Sequence, residues 1–491
     1  MTYLTKTALL ALAAFMVGGA CRPPASSPEA AGPPVAAERP DKGANGAVER
    51  EAQQIAAVVD PIIRSDIAES GIPGAAFVYV RDGRIVYQQG YGYSDVASGA
   101  GVDPETTVWP IASITKAITA IAALQLVDQK RVDLDADLNR YLKRVQVPPQ
   151  GYAPLTLRHV LTHTAALDEL PGRQFDGKKA PDMGAFLKGR LLRYRAPGLL
   201  TAYSTYGVAL AGVLVEDVSG QAYADYVTQH VLRPAGMSHS WVMVTLGQEQ
   251  GVATPYEVED GKAQAIPYEW YVTTPTSSLV ASATDMGRLA IAQLDDAGAG
   301  AGRLLSQQLA REMQTQQATN HPQIPGWSLG LQMDRVNGIE VAEHGGDIAG
   351  FSSLFALLPG KRSGFFVVHH GESGDLRFRV KEALLDALHP AASPLAVPAP
   401  DPKKAPALAG YAGRYISSIA CRSCEGSGED AFRAEANGNG TLTLWGQTWI
   451  PLDGDLFIRD DGKRTLGFAR NAQGSVISAT GGSWRVADRV M

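Results

Sequence analysis

Apolar positions divide this chain into three parts. Between Ala52 and Ser70, Ile55, Val58, Val59, Ile62 and Ile63 recur at helical spacing, interrupted once by Pro61. Gly74 to Val80 and Ile85 to Tyr93 then read as strands joined at Asp82-Gly83, a strong hairpin signal. Ile114 to Val127 is mostly apolar, too much so for a surface helix, so the pattern predicts a central one. From Val132 to Gly326 the pattern is helix and loop, with helical spacing over Leu155–Thr162, Tyr206–Val218, Tyr223–Leu232 and Thr284–Leu294. Strand signals return at Ser328–Met333, Ile339–Glu343, Phe351–Leu358 and Gly364–His369, the last pair joined by a turn over Pro359–Ser363. A closing helix follows over Glu372–Leu388. Strands at both ends with helices between predict a mixed α/β domain whose sheet is completed by distant segments.

Beyond this region the pattern changes. Prolines at 390, 394, 398, 400, 402 and 406 mark residues 390–407 as a stiff linker. From Leu408 to the end, short strands alternate with Gly, Asn and Asp turns: Tyr411–Ile416, Phe432–Ala436, Thr441–Trp445, Leu456–Arg459, Thr465–Arg470, Val476–Thr480 and Trp484–Ala487. That regularity predicts a small antiparallel barrel or sandwich over 408–491.

The amino-terminal end reads as an export signal over residues 1–20. Lys6 precedes an apolar run from Ala8 to Val17 that is too short to span a membrane, and small residues lead up to Cys21. Two outcomes fit: cleavage after Ala20, or lipidation of Cys21, with Gly18 departing from the aliphatic residue usual in a lipoprotein signal. We expect lipidation, because residues 21–50 are a Pro- and Ala-rich tether and a cysteine directly at the cleavage point needs a reason. The expected organisation is therefore signal 1–20, tether 21–50, main domain 51–389, linker 390–407 and barrel 408–491, in a protein exported to the periplasm of a bacterium.

Composition adds exclusions. With 44 Lys and Arg against 50 Asp and Glu, the formal charge is −6 and no long basic run occurs, so nucleic acid is not an expected partner. Cys421 and Cys424 allow a redox motif, half a metal site or a local disulfide. No histidine follows His389, and Glu425-Gly426-Ser427-Gly428 does not continue as a helix, so the disulfide suits an exported protein best.

The candidate chemistry lies in three separated motifs. Ser113-Ile114-Thr115-Lys116 opens the central apolar segment, and residues three apart on a helix share a face, so the Lys116 amine reaches the Ser113 hydroxyl. Serine needs a neighbouring base to become a nucleophile, and a lysine stripped of water becomes one. The bland alternative is an N-terminal serine cap, worth about 1 kcal/mol, with an exposed lysine. Chance alone supplies a Ser-x-x-Lys roughly once at this length. The other two motifs are Tyr203-Ser204-Thr205, before an apolar helix, and His344-Gly345-Gly346, at the end of a strand. Cations near Tyr203 are expected to lower its pKa and make a phenolate base conceivable.

Together with Val108-Trp109-Pro110-Ile111-Ala112, Leu161-Thr162-His163-Thr164 and the stretch from Pro197 to Met237, these motifs resemble the serine β-lactamase/penicillin-binding-protein-like hydrolases. The resemblance spans roughly residues 60–385 and is nearest the branch of class C β-lactamases, D-aminopeptidases, D-Ala-D-Ala carboxypeptidases and related esterases; residues 408–491 resemble the lipocalin-like domains attached to some of them. It implies an antiparallel sheet beside an all-helical subdomain, with the active site between. It also implies an acyl-enzyme on Ser113, proton transfer by Lys116 and Tyr203, and substrate contacts from His344, Gly345, Gly346, Asp347 and Thr205. The oxyanion would be held by the N–H groups of Ser113 and Asp347. No cofactor is expected, and no metal at His369-His370, whose side chains would point to opposite faces of a strand. His163 is read as structural. Thr205 stands where Asn is usual and His344 where Lys is common, which weakens β-lactam recognition. An esterase or D-amino-acid-directed peptidase is therefore expected for a small-molecule or peptide substrate. A β-lactamase, and a non-catalytic binder of cell-wall fragments, remain as alternatives.

Overall fold

A computed structural model describes residues 42–178, 180–294, 303–371, 375–391, 396–425, 431–482 and 485–490. The expected signal, Cys21 and most of the tether lie outside them. The first helix, α1, runs over Lys42–Ser70 with Pro61 inside it, so it starts ten residues before the periodicity predicted and takes in the end of the expected tether. The hairpin follows as β1 (Gly74–Arg81) and β2 (Arg84–Asp95).

The central helix, α2 (Thr115–Asp128), packs against α3 (Thr205–Ser219); α4 (Ala283–Leu294) lies on the sheet. Four strands return late: β3 (Gln332–Val336), β4 (Ile339–Ile348), β5 (Phe351–Leu358) and β6 (Ser363–His370). Helix α5 spans Asp375–Leu388, with residues 372–374 of the expected helix outside the described ones. The seven-stranded sheet has the order β3-β4-β5-β6-β1-β2 and then Ala100–Gly101, with antiparallel pairing throughout. The carboxy-terminal strands thus complete a sheet begun at the amino terminus.

Both faces of this sheet are covered, so its central strands read as apolar runs rather than alternations. Ala75, Phe77 and Tyr79 of β1 pack with Ile55, Val59 and Ile63 of α1 and Val380 and Leu384 of α5. Ala76, Val78 and Val80 point the other way, into the large core shared with α2, α3 and α4. Thr115 to Leu126 of α2 are all buried, as its composition requires.

Several expectations are corrected. The Ser328–Met333 strand begins only at Gln332, because Ser328 N–H turns back to the Leu331 carbonyl. The helical middle also contains short strands, among them Ser240–Val242 and Leu279–Ser282, which join Val108–Pro110 from before α2 in a small sheet too short to leave a periodic signal.

The carboxy-terminal domain is a closed eight-stranded barrel. Its strands are β7 (Gly413–Ser417), β8 (Phe432–Ala436), β9 (Leu442–Leu444), β10 (Gln447–Pro451), β11 (Leu456–Arg459), β12 (Thr465–Arg470), β13 (Val476–Thr480) and β14 (Val486–Arg489). The sequence reading misses β10, which ends in Pro451. Tyr415, Trp449, Phe457 and Phe468 fill the interior. The linker is not uniformly extended, since Pro402–Lys404 and Ala405–Leu408 are helical turns and Leu408 enters the barrel core.

Candidate active site

Ser113 sits on a 3-10 turn, Ala112–Ile114, that feeds straight into α2. Ala112 holds φ at +46°, a left-handed conformation that a residue with a Cβ avoids. Such strain persists only where surroundings impose it. Ile111 N–H donates to the Leu279 carbonyl at 3.1 Å, Thr115 Oγ1 donates to the Ala112 carbonyl at 2.6 Å, and Leu279 N–H donates to Thr115 Oγ1 at 3.1 Å. The turn presents one side chain outward: from Thr107 to Leu126 every residue is buried except Ser113.

Lys116, one helical turn on, is only 2 % exposed. Its Nζ lies 3.0 Å from Ser113 Oγ and 3.0 Å from the Thr276 carbonyl. Loss of hydration pulls its pKa from 10.5 down to about 7; the Glu169 carboxylate opposes that fall and the Arg173 guanidinium adds to it. Near pH 7 the amine is therefore substantially neutral and placed to take the Ser113 proton.

Tyr203 is delivered by a strip of backbone pairing. The Asp168, Tyr194, Gly198 and Ala202 N–H groups donate to the carbonyls of Leu192, Ala166, Thr164 and His163 respectively, tying residues 163–168 alongside 192–202. At the end of the strip, His163 Nδ1 accepts the Ser204 N–H at 3.0 Å, and Ser204 Oγ caps α3 by accepting from Gly207 N–H at 3.0 Å. Burial lowers the His163 pKa well below 6.5, which keeps the ring neutral and able to accept. The Tyr203 ring packs at 4.6 Å from His163, 5.7 Å from Trp327 and 6.1 Å from His344, with Lys116 Nζ 5.0 Å from its centroid. The expectation of a lowered pKa is overturned. Burial raises it above 10, outweighing the opposite pull of its hydrogen bond with Ser113. Tyr203 is a neutral phenol, suited to relaying a proton rather than resting as a base.

The residue that sequence reasoning missed is Glu169. Its Oε1 accepts from Ser204 Oγ at 2.9 Å, Thr205 N–H at 2.7 Å and Tyr206 N–H at 3.3 Å, while Oε2 faces Arg173 at 3.1 Å. Burial pushes its carboxyl upward, while three hydrogen-bond donors and the Arg173 guanidinium pull the other way, toward the ionised form. It thereby anchors the turn after Tyr203 and places a negative charge near Lys116. Nothing in the sequence separates Glu169 from other acidic loop residues.

His344, Gly345, Gly346 and Asp347 lie within β4, which continues past the glycines instead of ending there. Gly346 passes so close to the segment before Ser113 that a Cβ would sit 2.2 Å from the Ile111 carbonyl oxygen. This contact fixes β4 against the Ser113 turn. His344 is fully buried, and its Nδ1 lies 2.7 Å from the Gly345 carbonyl, so that nitrogen carries the proton. Burial and Lys116 push its pKa down to about 3. The side-chain contact with substrate expected of His344 does not fit a ring with no exposed surface; it backs Tyr203 and Trp327 instead. The Asp347 carboxylate is held by Arg377 in two bonds of 2.7 Å and by Ser352 Oγ at 2.8 Å. Thr205 is 8 % exposed in the first turn of α3.

Cys421 and Cys424 are joined in a disulfide. His369 and His370 are buried in β6, the latter between Trp109, Tyr256 and Phe351, and among the described residues no cluster is arranged to hold a metal ion.

Comparison with known proteins agrees with this geometry. The β-lactamase family model matches residues 59–389. Protein flp of Staphylococcus aureus (strain MW2) is 26 % identical over 321 residues, 63 % of this chain and 62 % of that protein. The match thus spans less than two thirds of that relative's length. Among solved structures, SurE superposes with a TM-score of 0.67 at 24 % identity over 91 % of this chain and 100 % of its own, and SurE with D-Leu gives 0.65. A class C β-lactamase gives 0.58 at 20 % identity over 69 % of this chain and 97 % of its own. At these identities the structures establish the fold.

Proposed function

The chain belongs to the β-lactamase family, within the β-lactamase/penicillin-binding-protein-like serine hydrolase superfamily, and from that membership we propose that it hydrolyses an ester or a D-residue amide through an acyl-enzyme on Ser113. The observation that carries this reading is the buried Lys116 amine, 3.0 Å from Ser113 Oγ and with its pKa drawn down to about 7. In the proposed cycle Lys116 takes the hydroxyl proton as Ser113 Oγ attacks the carbonyl. Backbone N–H groups at Ser113 and Asp347 hold the oxyanion, and the neutral Tyr203 phenol passes a proton to the leaving group, regaining one from Lys116. Water then repeats the sequence on the acyl-enzyme and releases the acid.

Substrate preference follows from what the site does not offer. A neutral, buried His344 supplies no cation for the carboxylate of a β-lactam, and Thr205 lacks the donor–acceptor fork of an asparagine amide. Both favour a simple ester or an unblocked D-residue over a cephalosporin, and the structural likeness to SurE, solved with D-Leu, points the same way. Export and lipid attachment at Cys21 complete the proposal. Its test is kcat/KM for nitrocefin, a p-nitrophenyl ester and a D-alanyl amide on one preparation. The ester or amide should lead; a clear lead for nitrocefin would install the β-lactamase alternative, and no turnover or Ser113 acylation would favour a binding protein.

A further inference from the structure

Glu169, which anchors the Tyr203 turn, has a neighbour that faces the other domain. Asp168 is 2 % exposed, and its carboxylate accepts from Arg422 N–H at 2.7 Å, Ser423 N–H at 2.9 Å and Ser423 Oγ at 2.5 Å. All three donors come from the barrel loop after β7, closed by the Cys421–Cys424 disulfide. A second contact holds the same loop. Arg422 and Arg195 both donate to Asp488 Oδ2 at 2.6 Å, and their guanidinium carbons lie 4.5 and 4.9 Å from the Tyr194 ring centroid. Tyr194 belongs to the strip that ends at Tyr203.

The physical link is short. Consecutive Cα atoms are about 3.8 Å apart, so a shift of Asp168 is passed to Glu169 with little attenuation. Glu169 bonds to three groups in the turn immediately after Tyr203. Without the loop, the buried Asp168 carboxylate would keep only the Glu169 N–H, 3.1 Å from Oδ1, so freeing the loop would force the segment to rearrange. The disulfide constrains the loop that aims the Arg422 and Ser423 N–H groups. We propose that Asp168 and Glu169 are a pair of positioning residues through which the barrel's disulfide loop holds Tyr203 in register with Ser113 and Lys116. The barrel is then part of the working active site, and reduction of its disulfide slows the enzyme. In that reduction the S–S bond opens to two thiols, with both electrons and both protons supplied by a dithiol that leaves as its cyclic disulfide.

This rests on Ser113, Lys116 and Tyr203 being the reacting groups, and the experiment separates the two ideas. A fluorophosphonate probe is used to follow Ser113 labelling, and p-nitrophenyl ester turnover gives kcat and KM. The proteins are the wild type, Cys421→Ser/Cys424→Ser, Ser423→Ala and Asp168→Asn. The disulfide-free protein should label to the same final extent but ~10-fold or more slowly, since misplacement by 1 Å can cost ~100-fold. Its kcat should fall with little change in KM, and Ser423→Ala and Asp168→Asn should move the same way. Dithiothreitol should slow the wild type likewise and leave the disulfide-free protein unaffected. Equal labelling rates in wild type and disulfide-free protein would overturn the coupling while leaving the Ser113 reading intact. A loss of labelled fraction at unchanged rate would mark a folding defect only and also overturn it. No labelling of wild-type Ser113 would overturn the reading and this inference together.

Discussion

Lys116 links activity to stability in a way that can be worked out from its burial. In the unfolded chain its amine titrates near 10.5; in the folded protein burial brings this to about 7. The sign follows from proton counting. Between pH 7 and 10.5 the unfolded chain binds a proton that the folded protein does not, so stability rises with pH across that window. Below pH 7 the full penalty of holding the charged amine applies. From the two pKa values, this costs about 5 kcal/mol at pH 6 and about 2 kcal/mol at pH 9. Lys116→Met removes the penalty and keeps an unbranched apolar chain in the same space, but it leaves the Thr276 carbonyl without this donor, a loss of roughly 1–3 kcal/mol. The variant should be more stable than wild type at pH 6 and close to it at pH 9, while inactive at both. Urea unfolding of both proteins at the two pH values gives the answer. The stability difference between them should shrink by about 3 kcal/mol from pH 6 to pH 9, and constant packing terms cancel from that change. A difference that stays level within about 1 kcal/mol would mean that Lys116 titrates in the ordinary range, and the base assignment would fail.

Further outcomes follow from individual contacts. The same titration gives kcat/KM an acid limb near pH 7, with the rate falling about tenfold per unit below it; a limb set near 4 would point to a carboxylate base instead. Tyr203→Phe should cut kcat by roughly 10²–10⁴-fold without changing the shape of the pH profile above pH 7, since the buried phenol does not ionise in the working range. Gly346→Ala places a Cβ 2.2 Å from the Ile111 carbonyl and should lower both melting temperature and turnover, whereas Gly345→Ala, whose nearest neighbour is 3.6 Å away, should be tolerated; equal behaviour of the two would refute the role of that close approach. Palmitate labelling should disappear in Cys21→Ala, and its persistence there would remove the lipid anchor.

What could be read from the sequence tracks the distance over which each signal acts. The Asp82-Gly83 hairpin, the mostly apolar α2 and the Phe351–Leu358 strand each announce themselves within a dozen residues, because turn chemistry and burial on all sides leave local marks. Ser113 and Lys116 were legible for the same reason, being one helical turn apart. Residues whose roles depend on partners far along the chain were not. Glu169 acquires its role from Ser204 to Tyr206, 35 to 37 positions away, and Asp168 from Arg422 and Ser423, more than 250 away. The error on Tyr203 had the opposite origin: charged neighbours can be guessed from motifs, but the depth of burial that outweighs them cannot. Strand β10 was missed because Pro451 and the preceding Trp445-Gly446 turn disguise it as loop, and in a closed barrel even short strands are held by both neighbours.

The central claim is that Ser113, activated by Lys116, carries the acyl group. Intact-mass analysis with peptide mapping, after brief incubation with a p-nitrophenyl ester or a fluorophosphonate, tests it most directly. Wild type should gain one adduct located at Ser113, Ser113→Ala none, and Lys116→Arg should acquire it far more slowly, because a guanidinium cannot serve as the neutral base. An adduct on another serine, or a Lys116→Arg protein acylated at the wild-type rate, would contradict the account.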